Sequence, residues 1–534
     1  MTQIRYNDLD QTLSFRRLSE IQVPSLKKIL TEERIGTCSI NAGGGIQYNY
    51  AALPVDDELI SLLADLAEEQ QLITKYEAVL QGNRMNTGEG RMVLHHLTRG
   101  ECGWTVEEEG QNKRSFYMEQ FERIADFSHR VHTGKITGSG GAMFTDVVQI
   151  GIGGSDLGPR ALYLAMAGAY AGKGSDRKEL SPPFLRARFI SNVDPDDAAS
   201  VLKEIPLEST LFILVSKSGT TQETLTNRQL VINYIREHAP EIDPSRHMIA
   251  VTSQTSPLAD SDDFLESFYI DDYIGGRYSS TSAVGIALLS LCFGYEECVK
   301  LLKGAHEADL LAREPVVTEN ASLLDALIGV FLGNVLGYRM STVLPYSQAL
   351  VRFPAHLQQL DMESNGKQVN RFGAPVAYHT GPVIFGEPGT NGQHSFYQLL
   401  HQGTEKVSLQ FIGFRNNQQD IDLETEGFSS RQKLNANLAA QIVAFARGRE
   451  DTNLSKNFPG RRPSSLLHAE TLTPESLGAL LAHFENKVMF QGFLWNINSF
   501  DQEGVQLGKV LAKQILSGTP ADTLLTAYAR ILGV

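Results

Sequence analysis

Four side chains in this chain have the types and settings needed to move protons and charge: Glu363, His394, Lys509 and Arg277. Glu363 stands in Gln359-Leu-Asp-Met-Glu363-Ser-Asn-Gly-Lys367. If that stretch is helical, Gln359 and Glu363 share a face at i, i+4. A partly desolvated carboxylate there can act as a general base, while a fully solvated one is only part of a surface charge run. His394 closes Gly386-Glu-Pro-Gly-Thr-Asn-Gly-Gln-His394, a loop whose three glycines make it costly to order, which favours a function for it. Its imidazole either exchanges a proton near neutral pH or makes structural hydrogen bonds only. Lys509 ends the run that begins Asp501-Gln502-Glu-Gly504. It supplies a positive charge or a proton, or else sits on an exposed helix face as most lysines do. Arg277, in Gly275-Gly-Arg-Tyr-Ser-Ser-Thr-Ser, lies between flexible backbone and a hydroxyl cluster. An arginine so placed can neutralise an oxyanion that develops during a reaction.

A fifth feature suits anion binding. Ser216-Lys217-Ser218-Gly219-Thr220-Thr221-Gln-Glu-Thr224 follows the apolar run Leu211 to Val215 and precedes a helical pattern from Leu225 to Ile235. Strand, hydroxyl-rich loop and helix form a phosphate cradle, because the amides and dipole of a helix start attract a dianion. Thr220 and Glu223 have capping-box spacing, which predicts a helix starting just after Thr220. Gly151-Ile-Gly-Gly154-Ser155-Asp-Leu-Gly-Pro159 also follows a strand and opens a helix. It lacks the last glycine of a dinucleotide fingerprint and the Gly-Lys-Ser/Thr of a Walker A loop. It is either a contact for sugar hydroxyls or phosphate, or simply a tight turn.

The elements that must position these groups follow from the apolar pattern. Runs of strand length recur at Val147–Ile152, Ala187–Val193, Thr210–Val215 and His247–Val251, and a helix pattern follows each of the first three. This alternation predicts a parallel sheet with helices on both faces, and it places ligands at the C-terminal ends of the strands. A helix from Ala321 to Leu336 opens a second α/β section with strands at Ser341–Leu344, Val383–Phe385 and Val407–Ile412. Before residue 140 the pattern is mainly helical, at Val55–Tyr76 and Ser115–Val131. Asn453–Ser465 and the polar stretch Gly172–Phe184 read as loops, and Val505–Leu532 as helix. The expected division is a mainly helical N-terminal extension (1–115), a first α/β domain (116–314), a second (315–504) and a helical tail (505–534).

Composition excludes several function classes. With 534 residues, 42% hydrophobic and 20% charged, the chain is globular and long enough for more than one domain. A net charge of −15 argues against nucleic-acid and anionic-membrane partners. No run reaches membrane-spanning length and Met1–Asp10 is polar, without an apolar signal core. Cys38, Cys102, Cys292 and Cys298 are scattered without zinc or disulfide spacing, so buried free thiols in a reducing cytoplasm are expected.

Taken in order, eight motifs resemble the glucose-6-phosphate isomerase (phosphoglucose isomerase) family: I-G-I-G-G-S-D-L-G-P (150–159), S-N-V-D (191–194), S-K-S-G-T-T-Q-E-T (216–224), G-G-R-Y-S (275–279), M-E-S-N-G-K (362–367), G-E-P-G-T-N-G-Q-H (386–394), H-Q-G-T (401–404) and D-Q-x-G-V (501–505). The resemblance implies two sugar-isomerase (SIS) domains, each a mainly parallel sheet flanked by helices, assembled as a cytoplasmic homodimer. It implies interconversion of glucose 6-phosphate and fructose 6-phosphate through an enediolate, with no cofactor and no metal. Glu363 matches the family's base and Arg277 the stabiliser of the enediolate. Lys509 matches the lysine near the ring oxygen, and His394 the ring-opening residue that reaches the site from the partner subunit. Ser216, Lys217, Ser218, Gly219, Thr220 and Thr221 match the phosphate loop, and Gly154, Ser155, Gln359 and Gln502 match other substrate contacts. Gln506, Gln149 and Arg461 depart from the usual residues at their positions. Three other readings share parts of the pattern: an amide-transferring hexosephosphate isomerase, a bifunctional glucose/mannose-phosphate isomerase, and a non-catalytic sugar-phosphate sensor. The first lacks a cysteine at residue 2, and the last would not need Glu363, His394 and Lys509.

Overall fold

The computed structural model describes residues 4–170, 182–419, 422–519 and 522–534, together with Ile421. Residues 171–181, most of the expected polar loop, lie outside the described part. The described residues build two large sheets and two two-stranded ribbons, Glu107–Glu108 with Gln111–Asn112 and Glu424–Thr425 with Phe428–Ser429. An N-terminal hairpin, β1 (Ser39–Gly43) and β2 (Ile46–Asn49), comes first. Five strands follow: β3 (Asp146–Ile150), β4 (Arg186–Ile190), β5 (Thr210–Val215), β6 (Met248–Thr252) and β7 (Ser267–Tyr269). They form an all-parallel sheet in the order β4-β3-β5-β6-β7. Every residue of β3 and β5 is buried, as expected of central strands covered on both faces.

The second sheet holds β8 (Met340–Pro345), β9 (Val383–Phe385), β10 (Val407–Phe414) and β11 (Ser464–Ala469). Its order is β1-β2-β11-β10-β8-β9, parallel from β11 to β9. The hairpin is antiparallel to β11, with Tyr48 opposite Leu467. The N-terminal segment therefore supplies two strands to the second sheet as well as its helices. A helix, Lys113–His132, runs across the boundary expected at 115/116.

Two expectations about elements are corrected. The helix expected over Val55–Tyr76 is two, Asp57–Glu69 and Leu72–Leu80, because Gln71 takes a left-handed φ of 51° between them. The end of the loop expected over Asn453–Ser465 is the start of β11, whose pairing with β10 and β2 outweighs the prolines before it.

The helices Tyr295–Leu311 and Pro474–Leu494 join the two halves. They approach closely because Gly304 and Gly478 face backbone: a Cβ on Gly304 would lie 2.8 Å from the Glu475 Cα, and one on Gly478 would lie 3.0 Å from the Ala305 nitrogen. Buried between halves, Arg99 donates to both Asp309 oxygens and pairs with Glu485, so each charge there has a partner. No helix of the described residues is long and apolar enough to cross a membrane.

Candidate active site

The register of the first sheet brings two loops side by side. Ile150 pairs with Leu214, so the chain leaves β3 at Gly151 and β5 at Ser216 on the same edge. This is the strand-end crevice where open parallel sheets bind ligands. The Ser216 hydroxyl donates to Thr221 Oγ1 at 3.1 Å and accepts from the Gly219 amide at 3.1 Å. Gly219 has φ of +67°, and a Cβ there would strike the Ser256 hydroxyl. The loop is thus wound tightly, with Ser218 and Thr220 left exposed and joined by a 3.0 Å hydroxyl bond. The helix Gln222–His238 follows with Thr221 at its N-cap. The start predicted after Thr220 is shifted by one residue, and the Thr221 side chain caps no amide; its oxygen accepts from Ser216. Burial pushes the Lys217 ammonium down from its ordinary value, and the group donates to the Ile274 carbonyl at 3.2 Å.

That last bond ties the loop to the turn Gly276–Tyr278, which carries Arg277. A second tie is backbone on backbone. Gly154 lies so close to Gly276 that a Cβ would overlap the Gly276 carbonyl and come within 2.8 Å of the Arg277 nitrogen. Gln149 holds the 150–155 turn from below, donating to the Ser155 carbonyl at 2.6 Å. Gly153, in turn, faces the Gln359 amide, 3.2 Å from where a Cβ would stand.

Gln359 and Glu363 lie on a π-helical turn, Gln358–Glu363, that continues the short helix Phe353–Leu357. Such π turns recur at functional sites. Gln358 donates to the Ile384 carbonyl at 3.3 Å, fixing the turn against β9. Glu363 and Gln359 therefore face a cavity of about 1300 Å³, which Lys367, Asp501 and Gln502 also line. The N-terminal residues Thr87 and Gly88 complete its wall. These two were missed in the sequence; their signal was the turn-rich run Asn86-Thr-Gly-Glu-Gly.

Arg277 lies behind this wall and is 1% exposed. Its Nε donates to Ser364 Oγ at 2.6 Å, and Nη2 donates to the carbonyls of Ser499 (2.8 Å) and Asp501 (2.9 Å). Nη1 points toward the cavity-lining groups: it donates to Gln502 Oε1 at 3.1 Å and sits 3.4 Å from Glu363 Oε2. Glu363 Oε2 is buried and has no hydrogen-bond partner, so the arginine is the cation it faces. The 216–221 loop, the strand-end glycine turn, the arginine and the carboxylate thus form one chain of contacts.

The other two charged groups are not brought to Glu363. His394 is exposed at the end of the turn Asn391–His394, and the loop before it is fixed to β8 through a 3.0 Å bond from Gly389 N to the Pro345 carbonyl. Lys509 is exposed on the helix Gln506–Leu516, which buries none of its own residues. Neither side chain lines the cavity. Gln506 begins that same exposed helix and Arg461 holds a left-handed φ of 58°; neither touches the groups around Glu363. All four cysteines are buried free thiols.

The family model for phosphoglucose isomerase matches residues 49–529. The chain belongs to the phosphoglucose isomerase family. Among curated members of that family, the glucose-6-phosphate isomerase of Treponema denticola is 58% identical over 523 residues, covering 96% of this chain and 97% of that protein. That of Borreliella afzelii is 45% identical, covering 99% of each. The crystal structure of a glucose-6-phosphate isomerase from Chlamydia trachomatis superposes with a TM-score of 0.89 at 42% identity, covering 98% of this chain and 99% of the other. The two-sheet architecture is therefore that of phosphoglucose isomerases.

Proposed function

We propose that this protein interconverts glucose 6-phosphate and fructose 6-phosphate, the reaction named for its relatives in Treponema and Borreliella. One observation carries the reading: a carboxylate oxygen of Glu363, on the wall of a large cavity and free of hydrogen bonds, stands 3.4 Å from the buried Arg277 guanidinium. Aldose–ketose isomerisation needs that pairing. The Glu363 carboxylate takes the proton from C2 of the open-chain aldose, and the electron pair moves into the C1–C2 bond while charge develops on O1. The proton then returns to C1, and a hydroxyl proton moves from O2 to O1, so no atom or electron is gained or lost. A positioned base contributes roughly 100- to 10,000-fold in rate, and a preorganised cation a comparable factor.

The remaining roles follow the family. Ser216 to Thr221 grip the phosphate with hydroxyls, amides and the helix start. Gly154, Ser155, Gln359 and Gln502 hold the sugar, with Gln502 yielding Arg277 Nη1 as charge develops. Lys509 and His394, which a single chain leaves outside the cavity, open the ring. His394 reaches the site from a second copy in a homodimer, consistent with its exposed position within its own chain. The tail supports that assembly: the helices Gln506–Leu516 and Thr523–Ile531 expose Leu507, Val510, Leu524, Tyr528 and Ile531. We place the enzyme in the cytoplasm, where its four free thiols persist. The test is conversion of fructose 6-phosphate to glucose 6-phosphate by the purified protein with a chelator present. Rapid conversion is expected; binding of the sugar phosphate without conversion would leave a sensor.

A further inference from the structure

The groups that hold Arg277 against Glu363 are themselves held by an ion pair outside the family's catalytic roles. Lys367 Nζ donates to Asp501 Oδ1 at 2.6 Å and to the Asp501 carbonyl at 2.8 Å. That same carbonyl accepts from Arg277 Nη2. Two cations therefore converge on one backbone oxygen, and the Asp501 carboxylate balances one of them. The carboxylate is fixed from other sides as well. Asn498 Nδ2 donates to its Oδ2 at 2.6 Å, and Gly88 packs so closely that a Cβ would stand 2.6 Å from that oxygen. Both side chains of the pair are more than four-fifths buried. A charge-assisted pair so enclosed is geometrically demanding, since removing either partner strands the other.

The pair joins two separate stretches of chain. Lys367 lies four residues after Glu363, on the segment that carries the carboxylate. Asp501 lies between Ser499, whose carbonyl also accepts from Arg277, and Gln502, whose amide oxygen accepts from its Nη1. If the 499–502 backbone shifts, three of the acceptors that aim the guanidinium shift with it. Ser364 Oγ, tied to Tyr278 OH at 3.1 Å, would remain as the only fixed one besides Glu363.

We propose that Lys367 and Asp501 are positioning residues for the isomerisation: their ion pair sets the 499–502 backbone and so the distance from Arg277 to Glu363. This rests on the isomerase reading above. The phosphate grip at Ser216 to Thr221 makes no contact with the clasp, and of the sugar contacts only Gln502 moves with it, so loss of the clasp acts chiefly on turnover. A displacement of about 1 Å in such groups can cost on the order of 100-fold in rate.

The test is steady-state kinetics on Lys367→Met, Asp501→Asn, their double variant and Lys367→Arg, with fructose 6-phosphate as substrate. Both single variants are expected to lose about 10- to 100-fold in kcat with KM within about twofold of wild type. The double variant is expected to lose no more than the worse single one, because the two act as a unit. Lys367→Arg, which keeps the charge, is expected to recover most of the loss. If Lys367→Met fails to fold, the isosteric Asp501→Asn carries the test. Wild-type kcat in Asp501→Asn, or a rise in KM with kcat unchanged in either single variant, would overturn the proposal; the second result would make Lys367 a substrate contact. A wild-type protein that converts no substrate would instead defeat the isomerase reading itself.

Discussion

Arg277 Nη1 stands 3.4 Å from Glu363 Oε2, and the arginine's other donors are spent on Ser364, Ser499 and Asp501. The guanidinium is therefore aimed as well as charged. A point charge on a flexible stem cannot reproduce a planar fork. Arg277→Lys is expected to lower kcat by about 100- to 1000-fold. It leaves the buried Ser499 carbonyl without its donor at a cost of about 1–3 kcal/mol, so thermal unfolding should also come earlier. Kinetics and a melting curve on the same preparation check both effects.

The backbone contact between Gly154 and Gly276 gives a second prediction. Gly154→Ala adds only a methyl group, but that methyl overlaps the Gly276 carbonyl. The two turns must separate, which moves Arg277 away from the strand-end loops. Activity is expected to fall at least tenfold in a protein that still folds, whereas Gly275→Ala, whose Cβ meets only the Tyr278 ring at 3.6 Å, should be nearly silent. Equal activity in the two variants would show that the close contact does not matter.

Much of this arrangement was legible in the sequence, and the gaps have physical causes. β5 was read to the residue because its apolar run is buried on both faces of the sheet. The capping box expected at Thr220 and Glu223 does not form: the helix starts at Gln222 with Thr221 at its N-cap, and the Thr220 hydroxyl is turned to Ser218 instead. The strand Ser464–Ala469 was hidden by the proline-rich run before it and became a strand through pairing on both sides. The hairpin at 39–49 was missed although Gly43-Gly-Gly45 marks its turn. At the site, motif residues were found by type, but the part played by Asp501 and Thr87 depends on contacts hundreds of residues apart in the chain.

Asp361 supplies a prediction about pH. It shares the turn with Glu363 but points into the core, where burial pushes its carboxyl up to about 7 despite the nearby Lys487. Between about pH 4 and 7 the folded state holds a proton there that the unfolded chain has lost. Stability on this account is greatest below that window and falls as the pH rises through about 7. Asp361→Asn removes the dependence: the variant should be more stable than wild type at pH 8, and the difference should vanish toward pH 4. Denaturant titrations at the two pH values measure it; a variant less stable at pH 8 would contradict the argument.

His394 and Glu363 do not meet within one chain, which predicts complementation. Glu363→Gln and His394→Ala should each be nearly inactive alone. Coexpressed in equal amounts, random pairing makes half the dimers mixed, each with one intact site, for about a quarter of wild-type activity. No recovery in a confirmed mixed dimer would place His394 in the site of its own subunit.

The central claim is that Glu363 is the base. The most direct measurement is the turnover of Glu363→Gln on fructose 6-phosphate, alongside its affinity for the same sugar phosphate. Size and shape are kept and basicity is lost, so the account predicts wild-type affinity with kcat lower by at least about 100-fold. Turnover close to wild type would contradict it, and the proton would have to be carried by another group on the cavity wall.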